Sequence, residues 1–359
     1  MFFISCDYGN LDKRENDVQL PVVPYSYNMG VDDNMPTLGR VLFYDPRLSA
    51  NNTVSCASCH KQNLAFTDDK KFSLGFEGKN TLRNSMPIQN IVTNLFFGAS
   101  IIDSLGFPVE AKPTSLFWDG RQQKIETMVL EPIQNHIEMG VIDLDGLAEE
   151  LAQTEIYKYL FGKAFENKEI NQNNLAMALS AFLVSIRADQ TKFDQSMAGM
   201  TALDPTEEIG RGLFFDTYDC NSCHQLQQPF NGYQNAGTGE FGGFADIGLD
   251  ESPTDLGLFK FSSSQEDKGK FKIPSLRNIM LTAPYMHDGR FETLEDVIDH
   301  YSEDIKGSTN LDVRLTENGQ PKKFNIPLQD KQAIIAFLNT LTDHNMISDI
   351  RFSDPFIKH

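Results

Sequence analysis

Long apolar runs, basic charge, tryptophan and cysteine are all scarce in this 359-residue chain. No stretch approaches the roughly 18 apolar residues of a membrane span, so a spanning helix is not expected. Lysine and arginine total 31 against 50 aspartates and glutamates, a net charge of −19. That balance removes the basic face a nucleic-acid binder needs, so no nucleic acid is expected. It also disfavours an anionic lipid surface and suits a basic soluble partner drawn in by electrostatic steering. There is one tryptophan, Trp118, and there are seven histidines and five cysteines. Apolar residues at 40% and charged residues at 23% fit a folded globular chain. A single core rarely grows past ~250–300 residues, so two domains are the default.

The few cysteines are concentrated. Four form two C-x-x-C pairs, each followed at once by histidine: Cys56-Ala57-Ser58-Cys59-His60 and Cys220-Asn221-Ser222-Cys223-His224. C-x-x-C-H is the attachment pattern of c-type haem. Two thioethers tether the porphyrin edge and the adjacent imidazole becomes the proximal iron ligand. A four-thiolate zinc site would leave both histidines unexplained. A thioredoxin-like pair calls for one C-x-x-C beside a βαβ pattern. The fifth cysteine, Cys6, follows Met1-Phe2-Phe3-Ile4-Ser5 and reads either as the end of a lipoprotein signal, hence a lipid anchor, or as a stray thiol in a tail.

The chain also repeats itself. Gly39-Arg40-Val41-Leu42-Phe43-Tyr44-Asp45 precedes the first haem motif and Gly210-Arg211-Gly212-Leu213-Phe214-Phe215-Asp216 the second; each reads as an amphipathic helix. Leu82-Arg83-Asn84 pairs with Leu276-Arg277-Asn278, and Asp119-Gly120-Arg121 with Asp288-Gly289-Arg290. Helix-period stripes close each half: Leu175, Leu179, Phe182, Leu183, Ile186, then Ile334, Phe337, Leu338, Leu341. The expected fold is mainly α, with two cytochrome-c-like domains, each holding one covalently bound haem. The expected boundaries are a tail at 1–30, domains at 31–198 and 199–345, and an extension at 346–359. A linker is expected near 198–206, and the Gly-, Ser- and Asp-rich stretch 231–264 reads as a long surface loop.

These motifs, with Leu82-Arg83-Asn84-Ser85-Met86-Pro87, Phe117-Trp118-Asp119-Gly120-Arg121, Glu131-Pro132-Ile133-Gln134, Ile137-Glu138-Met139 and Thr282-Ala283-Pro284-Tyr285-Met286-His287-Asp288-Gly289, resemble the di-haem cytochrome c peroxidase/MauG family from about Met35 to Thr342. The resemblance implies that the N-terminal haem meets hydrogen peroxide. The C-terminal haem then takes electrons from a small donor protein, a cytochrome c or a cupredoxin, and Trp118 lies between the two. It implies two haem c and a periplasmic location, as a soluble protein or an anchored lipoprotein. A homodimer and a calcium ion held by Asn84, Thr282 and Pro284 complete what the resemblance implies.

Peroxide cleavage needs a base that moves a proton from one oxygen to the other. Glu138 matches the family's distal acid, and His136 is a second candidate. Many members hold a histidine over the first haem. Here that place falls at Phe76, which cannot ligate iron, so an open first haem is expected. A 169-residue shift between the Asp-Gly-Arg segments sets Tyr301 over Pro132. Tyr301 stands where some members carry methionine and MauG-like ones tyrosine, so it is the expected sixth ligand of the second haem. Met286, His287 and His300 compete with it. A phenolate favours the ferric state. Met128 occupies the place of the family's pocket glutamine, which implies slower turnover. The leading function is a di-haem peroxidase reducing hydrogen peroxide to water; the alternative is a MauG-like oxidase that uses high-valent iron on a protein or small molecule.

Overall fold

The computed structural model describes residues 34–91, 101–102, 108–109, 115–226 and 243–356. Cys6, the tail at 1–30 and residues 231–242 of the expected loop lie outside the described residues. The first half carries α1 (Asn34–Tyr44), α2 (Cys56–Cys59), α3 (Ile125–Met128), α4 (Glu131–Gln134), α5 (Leu144–Leu151), α6 (Glu155–Ala164) and α7 (Gln172–Ser185). After α8 (Lys192–Met197) the second half carries α9 (Pro205–Gly212), α10 (Phe259–Ser262), α11 (Leu294–Asp299) and α12 (Leu328–Asn339). Strands among the described residues are three two-residue antiparallel pairs: β1 (Ile101–Ile102) with β2 (Pro108–Val109), β3 (Phe244–Ala245) with β4 (Phe271–Lys272), and β5 (Thr316–Glu317) with β6 (Gln320–Pro321). The mainly α expectation agrees with this.

Local chemistry sets the helix ends. Asp204 caps α9, its side chain accepting from the amides of Thr206 and Glu207, while Pro205 fills the first position, where no amide bond is lost. Asn171 caps α7 through the amide of Asn174. From Leu175 to Ser185 most of α7 is buried, as a helix enclosed on all sides must be.

Each half is organised by one helix crossing, α1 on α7 and α9 on α12. A glycine makes each crossing close. A Cβ on Gly39 would sit 1.9 Å from the Ala178 carbonyl oxygen, and one on Gly210 would sit 1.9 Å from that of Ala333. The helix before each haem motif therefore packs backbone to backbone on the closing helix, and Phe182 and Phe337 fill equivalent places beside it. The Asp-Gly-Arg repeat is also structural. Leu116 bridges Gln122 and Tyr285 bridges Phe291, with Gly120 and Gly289 left-handed at φ +67° and +60°.

One expected pairing is corrected. Leu276-Arg277-Asn278 is not equivalent to Leu82-Arg83-Asn84. Asn278 has φ 59°, donates its amide to Leu341 O, and accepts from the Asp343 amide through Oδ1. Its counterpart is Asn90, at φ 54°, which bonds Ile186 O and the Ala188 amide in the same way. Each asparagine satisfies backbone groups just beyond a closing helix, a role that tripeptide identity does not report. The stretch 231–264 is corrected from Gly243 onward. There β3 and β4 pair, and Ala245 and Asp246 are buried, with Asp246 bonded to Ser308 and the Gly248 amide.

The halves are joined by buried polar contacts. Arg277 grips Asp194 at 2.7 and 2.6 Å. Gln89 donates to Arg277 O, and Asn278 donates to Gln89 Oε1, both at 2.7 Å. Residues beyond 345 return to the first half. Tyr44 Oη donates to Phe352 O, Gln62 Nε2 donates to the carbonyls of Met346 and Asp349, and Phe352 packs on Phe182.

Candidate functional site: two cavities sharing a wall

The first cavity, about 720 Å³, has Cys56, Cys59 and His60 on its wall together with Met128, Pro132 and Glu138. The second, about 580 Å³, is lined by Cys220, Cys223, His224, Met286, His287 and Tyr301. Trp118 borders both. Its Nε1 donates to Asn84 O at 3.0 Å, and Lys272 donates its amide to Trp118 O at 2.8 Å, which fixes the indole between the halves.

Both histidines are prepared in the same way. His60 Nδ1 donates to Phe66 O at 2.8 Å, and His224 Nδ1 donates to Pro274 O at 3.1 Å. A carbonyl only accepts, so each Nδ1 carries the proton and each Nε2 keeps its lone pair for a ligand. Ala65 and Phe66 adopt left-handed backbone, φ 53° and 60°, on the way to presenting that carbonyl. Burial lowers the His60 pKa and pushes that of His224 down to about 4, so both imidazoles are neutral. The four cysteines of the two motifs are unbridged. Burial lifts the thiols of Cys56 and Cys220 to about 12 and that of Cys59 to about 11.

Glu138 is held from two sides. Asn135 Nδ2 donates to its Oε1 at 3.0 Å, while Asn135 Oδ1 accepts the Ile137 amide at 2.9 Å. The Phe76 amide donates to Glu138 O at 2.9 Å, and Gly75 lies so close that a Cβ would be 1.6 Å from Ile137 O. Burial raises the carboxyl to about 6; Arg121 opposes the rise and Glu131 adds to it. Arg121 is itself tied to Glu131 at 2.7 Å.

Comparison with known proteins places this geometry. Residues 33–202 match the profile of a family described as di-haem cytochrome c peroxidase. The methylamine utilization protein MauG of Methylorubrum extorquens is 31% identical, over 85% of this chain and 77% of that protein. The chain belongs to the di-haem cytochrome c peroxidase/MauG family. The cytochrome c551 peroxidase of Pseudomonas aeruginosa is 29% identical, over 87% of this chain and 80% of its own length. A solved MauG-like protein associated with microbial copper homeostasis is 32% identical, with a TM-score of 0.75, over 97% of this chain and 99% of that one. As a member of this peroxidase family the chain is an oxidoreductase, and the family implies two haem c.

The residues present fit that cofactor pair. Each cavity has the size of a cofactor site, a C-x-x-C-H at its wall and one imidazole nitrogen free to ligate. Pro132 borders the first cavity and Tyr301 the second. Tyr301 lies on a π-helical turn, His300–Asp304, and burial raises its phenol far above the usual range. Its hydroxyl has no hydrogen-bond partner among the described residues. Of the competitors, His300 is occupied elsewhere, Nε2 donating to Ile247 O at 2.9 Å, and it does not line the cavity. His287 stacks on Phe271 at 3.7 Å and, like Met286, borders the cavity.

In the first half, the Phe76 ring packs against Gly140 rather than lining the cavity. His136 is exposed and stands at the cavity rim. Asn84, Thr282 and Pro284 all line the second cavity, and Asn84 Nδ2 donates to Lys70 O at 3.0 Å. Sequence reasoning missed Asn135 and the two carbonyls, Phe66 O and Pro274 O, that set the imidazoles. Backbone acceptors leave no signal in residue identity.

Proposed function

We propose that this chain reduces hydrogen peroxide to water in the first cavity, with electrons delivered by a small redox protein to the second. The observation that carries the reading is a buried carboxyl with an upward-shifted pKa, Glu138, on the wall of the same cavity as His60, which the aligned position, Pro132, provides with no ligand. Bound haem would supply iron to coordinate peroxide and to exchange electrons. The chain's own residues do the rest. His60 and His224 each offer a neutral Nε2, and the cysteines fix the cofactor edges. Glu138, oriented by Asn135, accepts the proton from one peroxide oxygen and returns it to the other, so that the departing oxygen leaves as water. Trp118 provides an oxidisable aromatic group on the wall common to both sites. Asn84, Thr282 and Pro284 take a calcium ion that ties Trp118's acceptor residue to the second half. The net charge of −19 favours a basic donor. Covalent haem attachment assigns the chain to the periplasm; among the described residues no helix is long and apolar enough to cross a membrane.

A second reading is favoured by Tyr301. A half-buried phenol on the wall of the cavity that holds His224 suits a ligand that stabilises oxidised iron, as a MauG-like oxidase of a protein or small molecule requires. Steady-state turnover of peroxide with a reduced cytochrome c separates the two. Sustained donor oxidation supports the peroxidase; a long-lived oxidised state with negligible donor turnover transfers the assignment to the oxidase.

A further inference from the structure

Three tyrosines line the second cavity among the described residues: Tyr218, Tyr285 and Tyr301. A phenol holds its proton at neutral pH and sheds it on oxidation, so a redox-active tyrosine needs a base within hydrogen-bond reach. The three differ in that respect. Tyr285 Oη donates to Ile279 O at 3.0 Å, and a backbone carbonyl accepts a hydrogen bond without taking up the proton. Tyr301 is the candidate iron ligand. Tyr218 Oη donates to Asp330 Oδ2 at 2.7 Å, and a carboxylate can take the proton up.

Tyr218 also stands where the cavity wall meets solvent. It is half-buried, directly after the helical turn Leu213–Thr217 and two residues before Cys220, and its neighbours Asp216, Thr217 and Asp219 are exposed. Its ring meets Phe324, another wall residue, edge to face at 6.4 Å. Asp330 lies in the first turn of α12, the helix that Gly210 brings against α9, so the crossing that organises this half also sets the pair. Burial, then the bond to Asp330, raises the Tyr218 phenol to about 12, which keeps it protonated at rest.

We propose that Tyr218, with Asp330 as its proton acceptor, is the relay through which electrons from a reductant at the surface enter the second cavity. The inference rests on the reading of that cavity as the electron-receiving site, where the reductant is the donor protein and the oxidising equivalents come from peroxide. Tyr218 gives one electron to the oxidised cofactor in the cavity; its O–H bond breaks and the proton crosses to Asp330. The reductant returns one electron to the tyrosyl radical and Asp330 returns the proton, so the pair is restored and the reductant ends one electron poorer. Two such cycles supply the two electrons that reduce one peroxide, and two protons from solvent complete the two waters.

The test uses the haem-loaded protein. One equivalent of hydrogen peroxide is added without a donor, samples are frozen at times from milliseconds to seconds, and EPR spectra are recorded. Wild type should show a tyrosyl radical that is lost in Tyr218→Phe. Asp330→Asn keeps an acceptor for the hydroxyl but removes the base, so the radical yield should fall about tenfold; a bond that is merely structural would leave the yield unchanged. With reduced cytochrome c as donor, Tyr218→Phe should lower kcat about tenfold or more while haem content and cyanide binding match wild type. A tyrosyl radical retained in Tyr218→Phe, an unchanged yield in Asp330→Asn, or unchanged donor turnover in Tyr218→Phe would each overturn the proposal. Normal wild-type donor turnover with no tyrosyl radical sinks this inference alone. A Tyr218 radical in a protein that does not oxidise cytochrome c upholds the relay and sinks the peroxidase reading instead.

Discussion

Replacing Glu138 with glutamine keeps the side chain's shape and its ability to accept the Asn135 hydrogen bond, but removes the group that can carry a proton. General acid–base catalysis of this kind contributes about 100- to 10,000-fold, or roughly 3–5 kcal/mol of barrier. The pH profile gives a sharper test. With the carboxyl raised from 4.5 to about 6, about a tenth of Glu138 is ionised at pH 5 and about nine tenths at pH 7. The carboxylate is the form that accepts the peroxide proton, so peroxide turnover should rise about tenfold between those pH values. An unshifted glutamate is already about three-quarters ionised at pH 5 and would give a rise of less than about 1.5-fold. Stability runs the other way. A carboxyl whose folded pKa is raised favours the folded state below the unfolded value of 4.5, and that contribution is lost as pH climbs through about 6. Glu138→Gln removes the cost of an ionised buried group, so at pH 7 the variant should be as stable as the parent or more so, by up to about 2 kcal/mol. Stopped-flow peroxide decay from pH 4.5 to 8, with denaturant melts at pH 5 and 7, reads both effects. A Glu138→Gln enzyme within threefold of wild type, or one that retains the acid limb, would refute the reasoning.

Other consequences are as direct. Gly39→Ala and Gly210→Ala drive a methyl into a facing carbonyl oxygen at 1.9 Å, so each should cost about 1–3 kcal/mol in thermal or denaturant melts. Gly212→Ala, with nothing within 4 Å of the new Cβ, should gain up to about 1 kcal/mol; equal losses at all three would discredit the close-crossing account. Tyr301→Phe should abolish the low-spin EPR signal of one haem and raise its reduction potential, and an unchanged spectrum would shift the ligand to Met286. Treatment with a calcium chelator, or Asn84→Ala, should lower donor-driven turnover while leaving cyanide binding to the first haem intact. Equal loss of both would point to a folding defect rather than a tie between halves.

How much of this was written in the sequence depends on distance along the chain. The two C-x-x-C-H motifs, the helices before them and the closing stripes were legible because each is a local pattern. Covalent attachment needs residues a few positions apart, and a buried helix face repeats every three or four. The Asp-Gly-Arg segments were legible for the same reason, since a tight turn with a left-handed glycine is a local demand. The Leu-Arg-Asn pairing failed. Asn278 is defined by the backbone groups it satisfies beyond α12, and those groups recur around Asn90 under different neighbours. The tertiary structure alone decided that Gln62 is held by the residues beyond 345, and that Asn84 and Lys272 are what fix Trp118 in place. It alone turned His300 toward Ile247 and away from the site. Each of these rests on atoms tens to hundreds of residues apart, and often on carbonyl oxygens, which every residue possesses and no sequence pattern distinguishes.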